Sequence, residues 1–303
     1  MLNDLKNAFR KPNNALAQII IVNVILWVVI RLTDVIMGPK FFASFQKFIY
    51  VPGSLKELLY HPWTILTYGF AHYDLLHILF NMLVLYWFGM LIAEYLNSKR
   101  LISLYILGAL AGSLAYVLIY NFYPGGDKMG TVMLGASGAV FAVVVGAATL
   151  MPNYSFHLIF IGPVRIKYIA ALLVFLSVIQ LRGLNAGGQL AHLGGALMGY
   201  LFIFSLNKGT DLGGWIHYIL DGIKGLFVKK SKMKVTYRKS KVTANAGNEY
   251  ARANRKTSNN GNMAPDQAEI DAILDKISAS GYESLSKEEK QRLFNASKDK
   301  DKR

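Results

Sequence analysis

The chain has 303 residues, of which 53% are hydrophobic and 17% are charged, and this composition is too apolar for an ordinary soluble protein of its size. The formal net charge of +15 does not indicate a nucleic-acid partner, because Lys and Arg concentrate at the ends of apolar segments and in the C-terminal tail. Cysteine is absent, which excludes disulfides, thiolate metal sites and a cysteine nucleophile.

Six apolar segments of about helix length predict an all-α polytopic membrane protein, a six-transmembrane-helix bundle embedded in the lipid bilayer. Lys and Arg precede the first segment and recur in the connections that six spans would place on that same side, so both termini are predicted to be cytoplasmic. The predicted cytoplasmic N-terminus is 1–14 and the membrane core is 15–206, with spans at about 15–34, 75–96, 101–120, 136–151, 166–182 and 188–206.

The regions outside these spans have distinct compositions. The long connection 37–73 mixes aromatic and basic residues and is predicted to lie in the outer membrane interface. Apolar residues at helical spacing predict an interfacial amphipathic helix at 207–228, which a basic disordered linker follows at 229–263. Residues 264–303 predict a small helical hairpin with a capping box from Ser286 to Glu289, a C-terminal cytoplasmic extension that offers a surface to a cytoplasmic partner.

Ser137 lies at the predicted start of the fourth span, between Gly135 and Gly138. Flanking glycines leave the hydroxyl open to approach, and the unpaired N–H groups of a helix N-terminus can stabilise an oxyanion. Helix packing is the alternative explanation of the motif, because Gly138, Ala142 and Gly146 form a stripe of small residues at four-residue spacing.

His192 lies inside the predicted sixth span, where an imidazole is costly unless it faces a cavity or a partner. Gly195 and Gly199 form a close-contact face beside it, complementary to the small-residue stripe after Ser137. If the two faces meet, the imidazole reaches the hydroxyl and can act as its base. A histidine that only packs and forms hydrogen bonds is the alternative.

His77 and Asn81 are four residues apart in the second span and therefore share one helical face. Their N–H groups suit an oxyanion site, while a structural hydrogen-bond network between helices explains the pair equally well. The carboxylate inside the predicted spans, Glu94, lies too near the inner end to orient His192, so serine catalysis would use a Ser–His dyad that packing must orient. Phe141, one turn after Ser137, is positioned to stack on the imidazole. No His-Glu-x-x-His pattern or three-ligand cluster occurs, so neither a metal nor another cofactor is expected.

Three separated motifs, in this order, resemble those of the rhomboid family of intramembrane serine proteases. The resemblance covers roughly residues 15–206. It rests on the segment His61-Pro62-Trp63-Thr64-Ile65-Leu66-Thr67-Tyr68-Gly69-Phe70-Ala71-His72 followed by His77-Ile78-Leu79-Phe80-Asn81, on Gly135 to Gly138 as Gly-x-Ser-Gly, and on Gly187, Ala191, His192 and Gly195 as Gly-x-x-x-Ala-His-x-x-Gly.

The resemblance implies a serine endopeptidase that cleaves single-span membrane proteins near the outer membrane face. By resemblance, Ser137 is the nucleophile and His192 the base, while the Ser137 N–H, His77 and Asn81 bind the oxyanion. Phe141 replaces a tyrosine of some members, and a Trp-Arg pair typical of the first long loop is missing. The expected location is a bacterial inner (plasma) membrane.

Two other functions compete with proteolysis. A rhomboid-like pseudoprotease would bind membrane clients without cleaving them, although the presence of both Ser137 and His192 argues against it. A small-solute transporter would also carry polar residues in its spans. The sequence shows no duplicated half, however, and its polar residues cluster toward one membrane face instead of the midplane.

Overall fold

The computed structural model describes residues 14–123, 125, 132–158, 161–183, 185–227 and 267–300. The chain divides into two compact units, residues 1–231 and 232–303. The described helices of the first unit are α1 (Ala15–Gln46), α2 (Leu55–Tyr60), α3 (Thr64–Thr67), α4 (Leu75–Tyr95), α5 (Ser98–Phe122), α6 (Ser137–Leu150), α7 (Ile166–Ile179), α8 (Ala186–Asn207) and α9 (Gly214–Phe227), with short 3-10 turns at Tyr68–Phe70 and Gln180–Arg182.

Four described helices, α1, α4, α5 and α8, are long and apolar enough to cross a membrane. Helices α6 and α7 have 14 residues each, which corresponds to a rise of about 21 Å, less than the roughly 30 Å hydrocarbon core of a bilayer. The fold is therefore mostly helical with four candidate membrane helices, and the count of six spans stays a prediction.

Helix α1 continues twelve residues beyond the predicted end of the first span. It bends at Gly38, whose φ of 77° lies in the left-handed region, and Pro39 follows immediately. Proline is tolerated in the first turn of a helical segment, so the Gly-Pro pair bends the helix without ending it. The chain therefore resumes a helix after the bend, and the predicted loop 37–73 also contains β1, α2, α3 and the 3-10 turn at Tyr68–Phe70.

Helix α6 lies at the centre of the first unit, against α5 and α8. Small and β-branched side chains cover almost its whole circumference and are nearly all buried, as expected for a helix that is apolar on every side. Because these side chains are small, the neighbouring backbones approach closely. This packing fixes the position of Ser137, the first residue of α6.

Two pairs of short antiparallel strands lie in the connections between helices. Strand β1 (Val51–Pro52) pairs antiparallel with β2 (Val132–Met133), with Val51 opposite Met133, and so ties the long first loop to the segment just before Ser137. Strands β3 (Ser155–Leu158) and β4 (Gly162–Arg165) form an antiparallel hairpin between α6 and α7.

Helix α9 overlaps the amphipathic helix predicted at 207–228. It docks on α5 through Ser103, whose Oγ lies 2.8 Å from Nε2 of His217 and donates to the Gly213 carbonyl. The predicted linker 229–263 lies outside the described residues. In the second unit, α10 (Gln267–Ser280) and α11 (Lys287–Lys300) flank a 3-10 turn at Tyr282–Ser284. The capping box is present, since the Ser286 N–H donates to the Glu289 carboxylate and the Glu289 N–H to the Ser286 hydroxyl.

Candidate active site

A cavity of about 400 Å³ opens among α4, α6, α7 and α8. Among the residues predicted to form a site, Ser137, His192, His77, Asn81, Gly135 and Phe141 all line it. Gly138 and Gly195 do not line it and instead form the contact between α6 and α8 beside it. The rest of the described wall is largely apolar and comes from all four helices: Leu76, Phe80, Val84, Val140, Val144, Leu173 and Ala191.

The loop before α6 presents Ser137 to this cavity. Gly135 adopts a φ of 125°, which strongly favours glycine, and its N–H donates to the Tyr68 carbonyl at 3.1 Å. A Cβ at Gly135 would lie 2.7 Å from Cε1 of His77. A side chain here would therefore displace the imidazole that stands beside the serine. Because Ser137 begins α6, its backbone N–H has no helical carbonyl to bond and is available to a ligand.

The small faces of α6 and α8 meet as the sequence predicted. A Cβ at Gly195 would overlap the Gly138 carbonyl, and one at Gly199 would overlap the Ala142 carbonyl. The backbones are thus in direct contact at two successive turns, which only glycine on α8 allows. This contact brings His192, one turn before Gly195, to the cavity that Ser137 lines.

The His192 ring is held from two directions. The Phe141 ring stacks on it with centroids 4.2 Å apart and planes 9° apart. Its Nδ1 lies 3.1 Å from Oε1 of Gln189 and 3.1 Å from Oγ of Ser177. Packing is therefore not the sole means of orienting the imidazole, contrary to the sequence-based expectation. Ser137 and His192 share the cavity but form no hydrogen bond with each other in the described structure, and catalytic hydrogen bonds often tighten only when substrate binds.

The Asn81 amide joins His77 to a third histidine, His72. Nδ2 of Asn81 donates to the His77 carbonyl at 3.0 Å and lies 3.2 Å from Nε2 of His72. The Ala136 N–H donates to the same nitrogen of His72 at 3.4 Å. Nε2 of His72 is therefore the acceptor in both contacts, so its proton is on Nδ1. Both amide protons of Asn81 are engaged within the protein, and an oxyanion would have to compete for one of them.

His72 is fully buried in the loop before α4. Burial, and to a smaller extent the neighbouring His77, lower the pKa of this imidazole to about 3. His72 is consequently neutral over the pH range in which enzymes usually work. It links α4 to the backbone just before Ser137 without carrying a charge.

Sequence reasoning missed His72, Ser177 and Gln189. Gln189 had a usable signal, because it precedes His192 by three residues and so shares its helical face. Ser177 was the lone serine in the apolar fifth segment. His72 ends the segment His61 to His72 that carries the resemblance, but its role had no local signal, since its partner Ala136 is 64 residues away in the chain. Within the described part of the chain, no group of three or more His, Asp or Glu side chains is placed to hold a metal ion.

Replacing Phe141 tests the ring stack. We expect Phe141→Leu to reduce the rate of any reaction that uses His192 as a base, because the imidazole loses the flat surface that fixes its plane. An aromatic pair contributes about 0.5–1.5 kcal/mol beyond area burial, so the expected loss is about twofold to tenfold. Phe141→Tyr keeps the ring and should stay near the wild-type rate. Equal losses in both variants would show that the stack does not orient His192.

Parts of the chain are similar to known protein families. The Rhomboid domain model matches residues 60–209, and a family of unknown function matches 258–299. RHOMBOID-like protein 12, mitochondrial, of Arabidopsis thaliana is 35% identical over 159 residues, 48% of this chain and 47% of that protein. Rhomboid protein 1, mitochondrial, of Saccharomyces cerevisiae is 30% identical over 179 residues, 57% and 49% of the two chains. Presenilin-associated rhomboid-like protein A, mitochondrial, of Danio rerio is 30% identical over 139 residues, which are 45% of this chain and 35% of that protein. The matches thus span half or less of these relatives.

These relatives overturn one prediction. All three are mitochondrial proteins by name, so the expected location in a bacterial plasma membrane is wrong. Basic residues at the ends of apolar segments indicate on which side of a membrane a loop lies, but they do not identify the membrane. The membrane character itself rests on the four long apolar helices.

Proposed function

This chain belongs to the rhomboid family, and from that membership we propose that it is a serine endopeptidase that cleaves transmembrane segments of other membrane proteins. The observation that carries the proposal is the shared cavity: Ser137, His192, His77 and Asn81 line one space, although they come from three helices. Each residue alone has a packing explanation. Their convergence on one cavity matches what acyl transfer requires.

The proposed reaction begins when Oγ of Ser137 attacks the scissile carbonyl and Nε2 of His192 takes its proton. The tetrahedral intermediate places negative charge on the carbonyl oxygen. The Ser137 N–H, the His77 ring and the Asn81 amide are the donors that would stabilise it. His192 then protonates the leaving amine, and water activated by the same imidazole hydrolyses the acyl-enzyme. No cofactor is needed for these steps.

We infer that the bundle has six spans and that the reaction occurs near one membrane face. Ser137 is the first residue of α6 and His77 the third of α4, while His192 is the seventh of α8. His192 is thus about 9 Å along its helix, at 1.5 Å per residue. An extended segment of a single-span substrate would enter the cavity at this face, where apolar residues surround the polar groups.

Reconstitution tests the proposal. The full chain is placed in liposomes with a single-span substrate that carries a different tag at each end, and it is treated in parallel with a fluorophosphonate probe. We expect paired fragments from one cut inside the membrane segment, and covalent labelling of the peptide that contains Ser137. Substrate that is captured intact, with no label on Ser137, would contradict the proposal and favour a client-binding pseudoprotease.

The pH profile tests the role of His192. A base must be neutral, so we expect cleavage to decline as the pH is lowered from about 8 to about 4 and the imidazole becomes protonated. The pKa of His72 is lowered to about 3, so this buried histidine stays neutral over that range and does not produce the decline. His77→Gln keeps a side-chain donor and removes the other histidine of the cavity, and the decline should persist in this variant. A decline that disappears in His77→Gln would assign the titration to His77 instead of His192.

A further inference from the structure

A chain of side-chain amides leads from the surface to the catalytic candidate His192. Nε2 of Gln189 donates to Oε1 of Gln180 at 3.1 Å, and Oε1 of Gln189 lies 3.1 Å from Nδ1 of His192. Gln189 is buried, with 7% of its surface exposed, while Gln180 is exposed. In this orientation both ends of the buried amide are paired, whereas turning Gln189 alone would set its oxygen against Oε1 of Gln180, acceptor against acceptor.

The direction of this amide chain decides which nitrogen of His192 carries the proton. Since Oε1 of Gln189 can only accept, Nδ1 of His192 must donate to it. The neutral imidazole then has a free lone pair on Nε2, the nitrogen that a serine hydroxyl requires as its base. The opposite direction would place the proton on Nε2 and disable the base. In soluble triads an aspartate makes this choice, whereas a neutral amide makes it here.

Ser177 adds a contact from another helix. Its side chain is buried, with 2% exposed, and its Oγ lies 3.1 Å from the same Nδ1. Gln189 is on α8 with His192, but Ser177 is on α7. With Nδ1 protonated, Oγ of Ser177 is a second acceptor for the same proton. The plane of the imidazole is thus set by three helices: Phe141 on α6, Ser177 on α7 and Gln189 on α8.

We propose that Gln189, assisted by Ser177, is a positioning residue that holds His192 with Nδ1 protonated and Nε2 free to take the proton of Ser137. The arrangement is a catalytic dyad completed by a neutral acceptor in the place of a carboxylate. This inference rests on the proposed proteolysis. It assigns a role to Gln189 and Ser177, two polar side chains in apolar helices. Neither belongs to the dyad itself.

The kinetic test compares two replacements of similar size. Gln189→Glu keeps an acceptor on Nδ1, and Gln180 can turn its amide to donate to it; we expect kcat within about tenfold of wild type. Gln189→Leu removes the acceptor, and kcat should fall about 10- to 100-fold with little change in KM, part of the roughly 10²–10⁴ that a positioned base contributes. Ser177→Ala should lower kcat about threefold to tenfold. If Gln189 only packed, the order would reverse, because leucine is harmless in an apolar helix and a buried glutamate is costly.

The pH profile supplies a readout that packing would not move. The other titratable side chains among the described residues that line the cavity are His77 and Tyr68, so no other carboxylate competes with the introduced one there. A glutamate beside Nδ1 stabilises the imidazolium. We therefore expect the acid decline of Gln189→Glu to move to higher pH, since protonation then occurs earlier as the pH falls. An unchanged decline in this variant would overturn the proposal.

A spectroscopic test does not depend on cleavage. ¹⁵N NMR of the full chain with labelled histidine, in detergent micelles, distinguishes a protonated ring nitrogen from a bare one, and the His192 signals are assigned by their loss in His192→Gln. We expect a protonated Nδ1 and a bare Nε2 in the wild type and in Ser137→Ala, and a mixture of tautomers in Gln189→Leu. A protonated Nε2 in the wild type would overturn the proposal. The same NMR result without any cleavage would leave the positioning intact and refute the proteolysis.

Discussion

Ser137→Ala is expected to abolish cleavage of a membrane substrate. The variant removes the attacking oxygen, while the helix, the cavity and the remaining donors stay in place, because alanine is well tolerated at the start of α6. Removing the serine nucleophile of another serine hydrolase lowers kcat by about 10⁶, so fragments should be undetectable in the reconstituted assay. Fluorophosphonate labelling should disappear as well, since the probe reacts with the same hydroxyl.

The matched control is Ser205→Ala. Ser205 is half-buried like Ser137. It lies near the C-terminal end of α8, two residues before the helix ends at Asn207, whereas His192 lies near the N-terminal end of that helix. Its loss should leave cleavage and labelling unchanged. Substrate binding by Ser137→Ala, measured by co-purification, should persist, because the apolar wall of the cavity is intact. Cleavage that continues in Ser137→Ala would refute the assignment of the nucleophile.

Gly195→Ala is expected to separate α6 from α8 and inactivate the protein. The added Cβ would overlap the Gly138 carbonyl, and backbone cannot yield as a flexible side chain does. Overpacking of this kind costs about 1–3 kcal/mol, so the thermal midpoint should fall. Activity should fall further, by about 10²-fold, because a shift of about 1 Å between His192 and Ser137 is enough for such a loss.

The same substitution at Gly222 provides the control for Gly195→Ala. Gly222 lies in α9, is exposed, and would offer its Cβ open space. Gly222→Ala should therefore raise stability by about 0.4–1 kcal/mol, through the lower chain entropy of the unfolded state. The same change from glycine to alanine is thus expected to lower stability at position 195 and to raise it at position 222. A stable, fully active Gly195→Ala would show that the contact between α6 and α8 does not position the candidate dyad.

The sequence alone was enough to predict the small faces of α6 and α8. Gly138 and Ala142 on one helix and Gly195 and Gly199 on the other recur at four-residue spacing, and such a stripe depends only on local periodicity. The sequence left the contact between these faces conditional, and the structure shows that they meet. Local chemistry likewise predicted the capping box at Ser286 and Glu289, whose hydrogen bonds span three residues.

Helix lengths were less accessible from the sequence. The first span was predicted to end at about residue 34, whereas the helix continues through the bend at Gly38 to Gln46. Phe42, beyond the bend, is buried in a small cluster with Ile30, Tyr50 and Ala71. Burial of this kind stabilises a helical segment that local propensity leaves undecided. A hydropathy pattern cannot include that contribution, because the contacts join separate segments.

What the sequence determined by itself is the composition of the candidate site: a serine between glycines, a histidine on a small-residue face, and a polar pair on one helical face. What only the tertiary structure decided is how these groups are held. His72 reaches the backbone before Ser137 across 64 residues, and Ser177 reaches His192 from a different helix. The physical reason is the range of the interactions. Helical periodicity is local and can be read along the chain, whereas a hydrogen bond between buried side chains depends on how separate helices pack.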